Sequence, residues 1–170
     1  MKKIITILII IAVAGFVIRQ YIKYRVAPDI DLGALHLFDM QGKPVSLSAY
    51  KGKPLFINFY ATWCPPCNRE MPELELLKQT LQKDSIVFLA ISDENPALVQ
   101  GFIHRSSSSF TFLQTSEHRD QYGINTIPTT YIFSSKGAQL FHTIGVEDWN
   151  NPKMVNKIHK MVTEGLTPEP

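Results

Sequence analysis

The chain has 170 residues, 45% of them apolar and 19% charged, with a formal net charge of +2; this composition fits one globular domain with an extension and excludes a disordered tail. Its two cysteines, Cys64 and Cys67, exclude a multi-disulfide scaffold and a zinc site built from cysteine alone. Five of the seventeen basic residues precede Asp29, the first acidic one, and leave twelve basic against fifteen acidic side chains beyond it, so there is no nucleic-acid footprint.

Ile4 to Ile18 is an almost unbroken apolar run closed by Arg19 and followed by Tyr21, Lys23, Tyr24 and Arg25. Fifteen helical residues rise about 22 Å, short of a hydrocarbon core of about 30 Å, but Ile22 extends the run if Arg19 snorkels and the tyrosines sit at the interface. A cleaved signal peptide is the rival, because Ala12-Val13-Ala14 resembles a cleavage site; cutting there leaves an unusually short peptide and an apolar Gly15–Ile18 on the mature end. An uncleaved anchor over residues 1–25 is therefore expected. Lys2 and Lys3 on one side balance Arg19, Lys23 and Arg25 on the other, so charge does not orient it.

Residues 26–33, with Pro28, read as a linker, 34–164 as one domain and 165–170 as a fraying tail. Leu35–Phe38 and Pro44–Leu47 flank a turn-rich segment and predict a hairpin. Leu55–Tyr60 is a short apolar run between Gly52-Lys53-Pro54 and the cysteines and reads as a buried strand. The helix after it carries Met71, Leu74, Leu77 and Leu81 at helical spacing. Ile86–Ile91 is a strand, Pro96–His104 a helix, Ser106–Ser109 a polar loop and Phe110–Leu113 a short strand. Thr129–Phe133 and Gln139–Thr143 form a second hairpin. The last helix opens at Asn151-Pro152 and turns Val155, Ile158 and Val162 inward. Hairpin, then β-α-β-α, then β-β-α, is an α/β arrangement with parallel and antiparallel strands.

Trp63-Cys64-Pro65-Pro66-Cys67 falls where a buried strand gives way to a helix, which places Cys64 beside unpaired backbone N–H groups and favours its thiolate. Cys67 lies one turn on, within reach of a disulfide, and prolines fit the first turn, where no N–H is needed. Cys64 is the expected exposed nucleophile and Cys67 the resolving thiol. Lowering the Cys64 pKa from about 8.5 to about 7 raises the thiolate fraction at neutral pH roughly fifteenfold, yet nucleophilicity falls about fivefold, so attack gains only roughly threefold. The larger effect is on leaving-group ability and reduction potential. A zinc knuckle would need two more ligands from His36, His104, His118, His142 and His159, none of them at ligand spacing, and no metal is expected.

Asn58 to Cys67, followed by Arg69-Glu70-Met71-Pro72-Glu73-Leu74, resembles the TlpA/ResA/DsbE-like thiol–disulfide oxidoreductases of the thioredoxin superfamily. A second motif agrees: Gly123-Ile124-Asn125-Thr126-Ile127-Pro128-Thr129 is similar to the thioredoxin segment that carries the cis-proline, and Gly137 and Gly145 fall where that family keeps glycines. The resemblance implies a thioredoxin-like α/β fold with a central mixed sheet flanked by helices, an N-terminal β-hairpin extension and a TlpA-type βα insertion between Cys64 and Pro128. It implies a cis Ile127-Pro128 bond against the cysteines, with the Ile127 backbone, Trp63, Pro65, Pro66 and Pro128 meeting a substrate peptide. Plain thioredoxin carries a buried aspartate where this chain has Asn58, and its partner lysine is missing from Leu89-Ala90-Ile91-Ser92. Glu70 matches a glutamate that the ResA-like branch keeps near its active site, and is the expected proton shuttle or thiol modulator; a solvated helix carboxylate is the plainer alternative.

The function these residues imply is a thiol–disulfide oxidoreductase that needs no cofactor beyond the Cys64–Cys67 pair. Its expected partners are protein disulfides and a membrane electron donor, with apocytochrome cysteines in cytochrome c maturation as a family-level substrate. The absence of any other cysteine suits an oxidising compartment, and the resemblance implies a domain outside the cytoplasm on a single-pass anchor in a bacterial cytoplasmic membrane. Two alternatives are weaker. A thiol peroxidase needs Thr-x-x-Cys, whereas Thr62 is two residues before Cys64, and a copper-assembly module lacks a nearby methionine or histidine.

Overall fold

A computed structural model describes residues 2–25, 27–106 and 108–165. Helix α1 (Lys2–Arg25) is followed by the short strands β1 (Leu37–Phe38) and β2 (Pro44–Val45), then β3 (Leu55–Phe59), α2 (Pro65–Thr80) and β4 (Val87–Ser92). Helix α3 (Pro96–Ser106), β5 (Thr111–Thr115), β6 (Thr129–Phe133), β7 (Gln139–Ile144) and α4 (Pro152–Glu164) complete the chain. Seven strands form one sheet in the order β2-β1-β5-β4-β3-β6-β7. β4 runs parallel to β3 and β5, while β6 is antiparallel to β3 and β7. This is the thioredoxin-like mixed sheet expected from the sequence. The expected insertion is α3 with β5, whose strand pairs parallel with β4 on one side and antiparallel with the hairpin strand β1 on the other.

β3 is buried along its whole length because it is central, and its two-residue period sorts side chains between two cores. Phe56 joins Ala90, Ile132 and the inner faces of α2, α3 and α4 in one cluster. Leu55, Ile57 and Phe59 join Leu89, Ile91, Tyr131 and Phe133 in the other, which is covered by the N-terminal segment and 3₁₀ turns. Asn58 is in register with Ala90 on β4, the strand position that serves the helical face.

Several expectations shift. The first hairpin is shorter than predicted because Leu47 already opens a 3₁₀ turn, Leu47–Tyr50, capped by the Ser46 hydroxyl. On α4, Ile158 and Met161 are the buried residues, with Val155 and Val162 only half-buried beside them, so the inner face is rotated from the predicted one toward Met161. The serine loop after α3 is pinned to α2, since the Glu75 carboxylate accepts from the Ser109 N–H at 2.9 Å and from the Ser108 hydroxyl at 3.2 Å.

The largest correction concerns the segment read as a linker. Ala27 is 5% exposed and belongs to the second core cluster. The Tyr131 hydroxyl donates to the Pro28 carbonyl at 2.9 Å, the Gln139 amide donates to Asp29 at 2.7 Å, and the Ile30 N–H donates to Gln139 at 3.4 Å. The segment is docked because it covers a sheet face that no long helix protects. Val26 and 166–170 of the expected tail lie outside the described residues.

Candidate active site

β3 ends at Phe59, and the turn Ala61–Trp63 feeds α2, whose N-cap is Cys64 with φ −85° and ψ 106°. The Cys67 N–H donates to Cys64 Sγ at 3.2 Å, as an N-cap acceptor requires. Pro65 and Pro66 occupy the first turn, where their missing N–H groups leave no gap in the ladder. Cys64 and Cys67 form a disulfide with their Cα atoms 5.3 Å apart. Cys64 is the more accessible sulfur-bearing residue, yet at 3% exposure against 1% for Cys67 it lies beneath the surface rather than on it. Its Sγ rests 3.9 Å from the Ile127 carbonyl oxygen, and this approach of the 127–128 loop covers it. The Ile127-Pro128 bond is cis, Pro128 is buried, and its carbonyl accepts from the Gly145 N–H at 2.8 Å.

Glu70 lies one turn beyond Cys67 on the buried face of α2 and is 0% exposed. It is not a solvated helix carboxylate. The Trp149 indole N–H donates to its Oε1 at 2.5 Å and the Asn58 amide to its Oε2 at 3.3 Å, while the same amide donates to the Thr130 hydroxyl at 2.9 Å. Burial pushes the Glu70 carboxyl up to about 7; Trp149, the Glu147 backbone and Asn58 pull against that, and Glu73 adds to the rise. Desolvation wins because two side-chain donors and one backbone donor replace less than the full hydration of a carboxylate.

A second carboxylate, missed in the sequence, fixes the turn before Cys64. Glu94, just after β4, accepts from the Thr62 N–H at 2.6 Å, the Thr62 hydroxyl at 2.7 Å and the Ser92 hydroxyl at 3.1 Å. The Asn68 amide closes the turn from the other side on the Thr62 carbonyl at 2.9 Å. The Thr62 hydroxyl is thus engaged away from the sulfurs. Trp63 is 62% exposed, with the Arg119 guanidinium 5.6 Å from its ring centroid, and Arg119 is held in turn by Asp93 at 2.8 Å. Pro65 is exposed, and Pro66 and Ile127 are half-buried. Trp149 gave no signal in the sequence: it stands in a loop 79 residues from Glu70 with no periodicity around it. Among the described residues, no three His, Cys, Asp or Glu side chains gather to hold a metal ion.

A model of the AhpC/TSA family matches residues 25–138. The chain is 31% identical over 144 residues to thiol-disulfide oxidoreductase ResA of Geobacillus thermodenitrificans, covering 81% of this chain and 82% of that one. Among solved structures, a thiol:disulfide interchange protein of Chlorobium tepidum superposes with TM-score 0.61 at 22% identity, over 78% of this chain and 99% of that chain. StoA of Bacillus subtilis superposes with TM-score 0.57 at 24% identity, over 79% and 96%. The two structures speak for the fold alone, and the family match and the ResA relative carry the chemistry. With a disulfide at a helix N-terminus facing a cis-proline loop, the chain belongs to the AhpC/TSA family and, within it, to the TlpA/ResA/DsbE-like thiol–disulfide oxidoreductases.

Proposed function

We propose that the protein reduces protein disulfides outside the cytoplasm while anchored by α1, and that Glu70 moves the proton of Cys67. The observation that carries this reading is the buried Glu70 carboxyl one turn from Cys67, pushed up to about 7 by burial and therefore close to evenly protonated at neutral pH. A group poised near the working pH serves both as acceptor and as donor. In the reduced protein, the Cys64 thiolate attacks a substrate disulfide, whose S–S bond breaks as the mixed disulfide forms and one substrate thiolate leaves. Cys67 passes its proton to Glu70 and attacks Cys64 Sγ; the mixed disulfide breaks, the second substrate thiolate leaves and takes up a proton, and the Cys64–Cys67 disulfide remains. Two electrons have passed to the substrate, and a membrane electron donor restores the dithiol. No cofactor or metal is required. Trp63, Pro65 and Pro66 wall the opening, and the Ile127 backbone beside Pro128 docks the substrate strand.

Support for the anchor comes from α1, whose Lys3–Tyr24 stretch has mean hydropathy 2.2, is unburied in the fold and is long and apolar enough to cross a membrane. Its 24 residues rise about 36 Å. Cysteine pairs of apocytochrome c are the substrate class this reading favours, with the domain from Ala27 to Glu164 as the catalytic one. The test is the reduction potential of the chain from Ala27 onward, equilibrated against defined thiol buffers. A couple near or below about −250 mV supports a reductant, whereas a value near about −120 mV would make the protein an oxidant. In cells, Cys67→Ser is expected to accumulate mixed disulfides through Cys64.

A further inference from the structure

The end of α1 and the loop beside the disulfide are joined directly. The Thr126 hydroxyl donates to the Tyr24 carbonyl at 3.1 Å, and Thr126 precedes Ile127, whose carbonyl oxygen is 3.9 Å from Cys64 Sγ. Following these contacts through standard backbone dimensions bounds the distance from the Tyr24 carbonyl to Cys64 Sγ at about 16 Å. Ala27 to Ile30 are clamped as well. Ala27 is in the core, and Pro28 lies so close to Gly123 that a Cβ there would sit 2.9 Å from Pro28 Cγ, at a φ of +77°. The Pro28 carbonyl is held by the Tyr131 hydroxyl, and Asp29 and Ile30 are held by Gln139.

We infer that Tyr24 and the segment Ala27–Ile30 form a strap that holds the Cys64–Cys67 opening at the bilayer surface, so that the disulfides it serves are those presented there by membrane-borne partners. The inference rests on the anchor reading of α1 given above. Tyr21 and Tyr24 close the apolar stretch, where aromatic side chains settle into the headgroup layer. A sulfur within about 16 Å of Tyr24 then works in or just above that layer, which is about 5–8 Å deep. A free linker over 26–33 would act otherwise: eight extended residues reach about 27 Å, enough to let the opening swing away from the lipid. Docking removes that freedom, and because Tyr24 and Pro28 meet Thr126 and Gly123 on the 123–128 loop, it is the catalytic end of the domain that is held down.

The experiment uses the full chain carrying Cys67→Ser, with Cys64 alkylated by a bimane, in vesicles of phosphatidylethanolamine and phosphatidylglycerol that contain a headgroup-linked fluorescent acceptor in both leaflets. Energy transfer is compared with that of two further variants. Ala27→Asp places a charge in the core contact and should release the strap. Ten glycine and serine residues inserted after Arg25 leave Ala27 to Ile30 docked but part them from Tyr24 by a coil of about 16–19 Å, which frees Thr126 from the end of α1. Transfer efficiency is expected to fall at least twofold in both. Flotation with the vesicles and wild-type transfer in Ala27→Asp, or in the insertion variant, would overturn the strap while leaving the anchor intact. Failure to float would overturn the anchor reading and the strap with it. Exchange of the unlabelled wild-type chain with a soluble disulfide reports separately on the redox reading.

Discussion

Replacing Glu70 by glutamine should remove one defined pH dependence from the stability of the fold. The carboxyl ordinarily titrates near 4.5 and is pushed up to about 7 here, so the folded chain holds a proton that the unfolded chain has released across that window. Stability is then fully present below the unfolded value and is lost as pH rises through the folded one. A rise of this size on a fully buried side chain corresponds to about 3 kcal/mol lost between pH 4.5 and 8. The assay is denaturant unfolding of the oxidised chain from Ala27 onward at half-unit pH steps. Wild type should lose stability along that slope and Glu70→Gln should be flat, with the two curves converging at low pH, where the native carboxyl is neutral too. Other shifted carboxyls act elsewhere. Glu117, drawn down to about 2 by His36, Tyr122 and Ser116, and Glu75, where burial is outweighed by Ser109 and Lys78, gain stability on ionising and do so below pH 4.5. Parallel wild-type and Glu70→Gln curves from pH 5 to 8 would refute the assignment of a buried, proton-holding Glu70.

Trp149→Phe keeps the aromatic packing on Phe56 but removes the N–H that favours the charged carboxylate, so the Glu70 titration and the pH profile of disulfide exchange should both move upward; an unmoved profile would show that the indole only fills space. Glu94→Ala leaves the Thr62 N–H without its acceptor and should cost about 2 kcal/mol in denaturant unfolding, while Glu94→Gln recovers part of it. Tyr60→Phe should raise stability by about 1 kcal/mol, because the Tyr60 hydroxyl is buried with no hydrogen-bond partner among the described residues and its ring contacts with Phe102 and Phe112 survive the change.

The parts of the site that sequence carries are those written locally. Cys64, Cys67, the two prolines and the 123–129 segment are short runs whose spacing follows from one helical turn or one loop, and they emerged from reading along the chain. Glu70 was reachable for the same reason, three residues past Cys67, although only the fold decides whether it faces water. Its environment comes from β3, β6 and the loop before α4, through Asn58, Thr130 and Trp149, which are brought together by strand register and helix packing. Asn58 was noticed as a departure from plain thioredoxin, but that its amide turns to Glu70 follows only once β3 is central and its even positions face α2. Glu94, Asp93 and Arg119 escaped because isolated charges in loops look alike until the loops are placed. The linker was misread because a proline between polar residues describes an exposed coil as well as a strand of chain laid over a bare sheet face.

The two-residue strand β2 at one margin of the sheet has a consequence for how copies of the chain meet. It pairs Val45 with Leu37 and Pro44 with Phe38, and Pro44 brings no N–H. Copies held in one plane by α1, as proposed above, would meet often and in similar orientations, conditions under which a long open margin would recruit its neighbours into continuous ribbons. A margin of two residues, one unable to donate, gives a neighbour almost nothing to grip. The hairpin therefore finishes this side of the sheet as well as extending it, and leaves β7 as the longer margin.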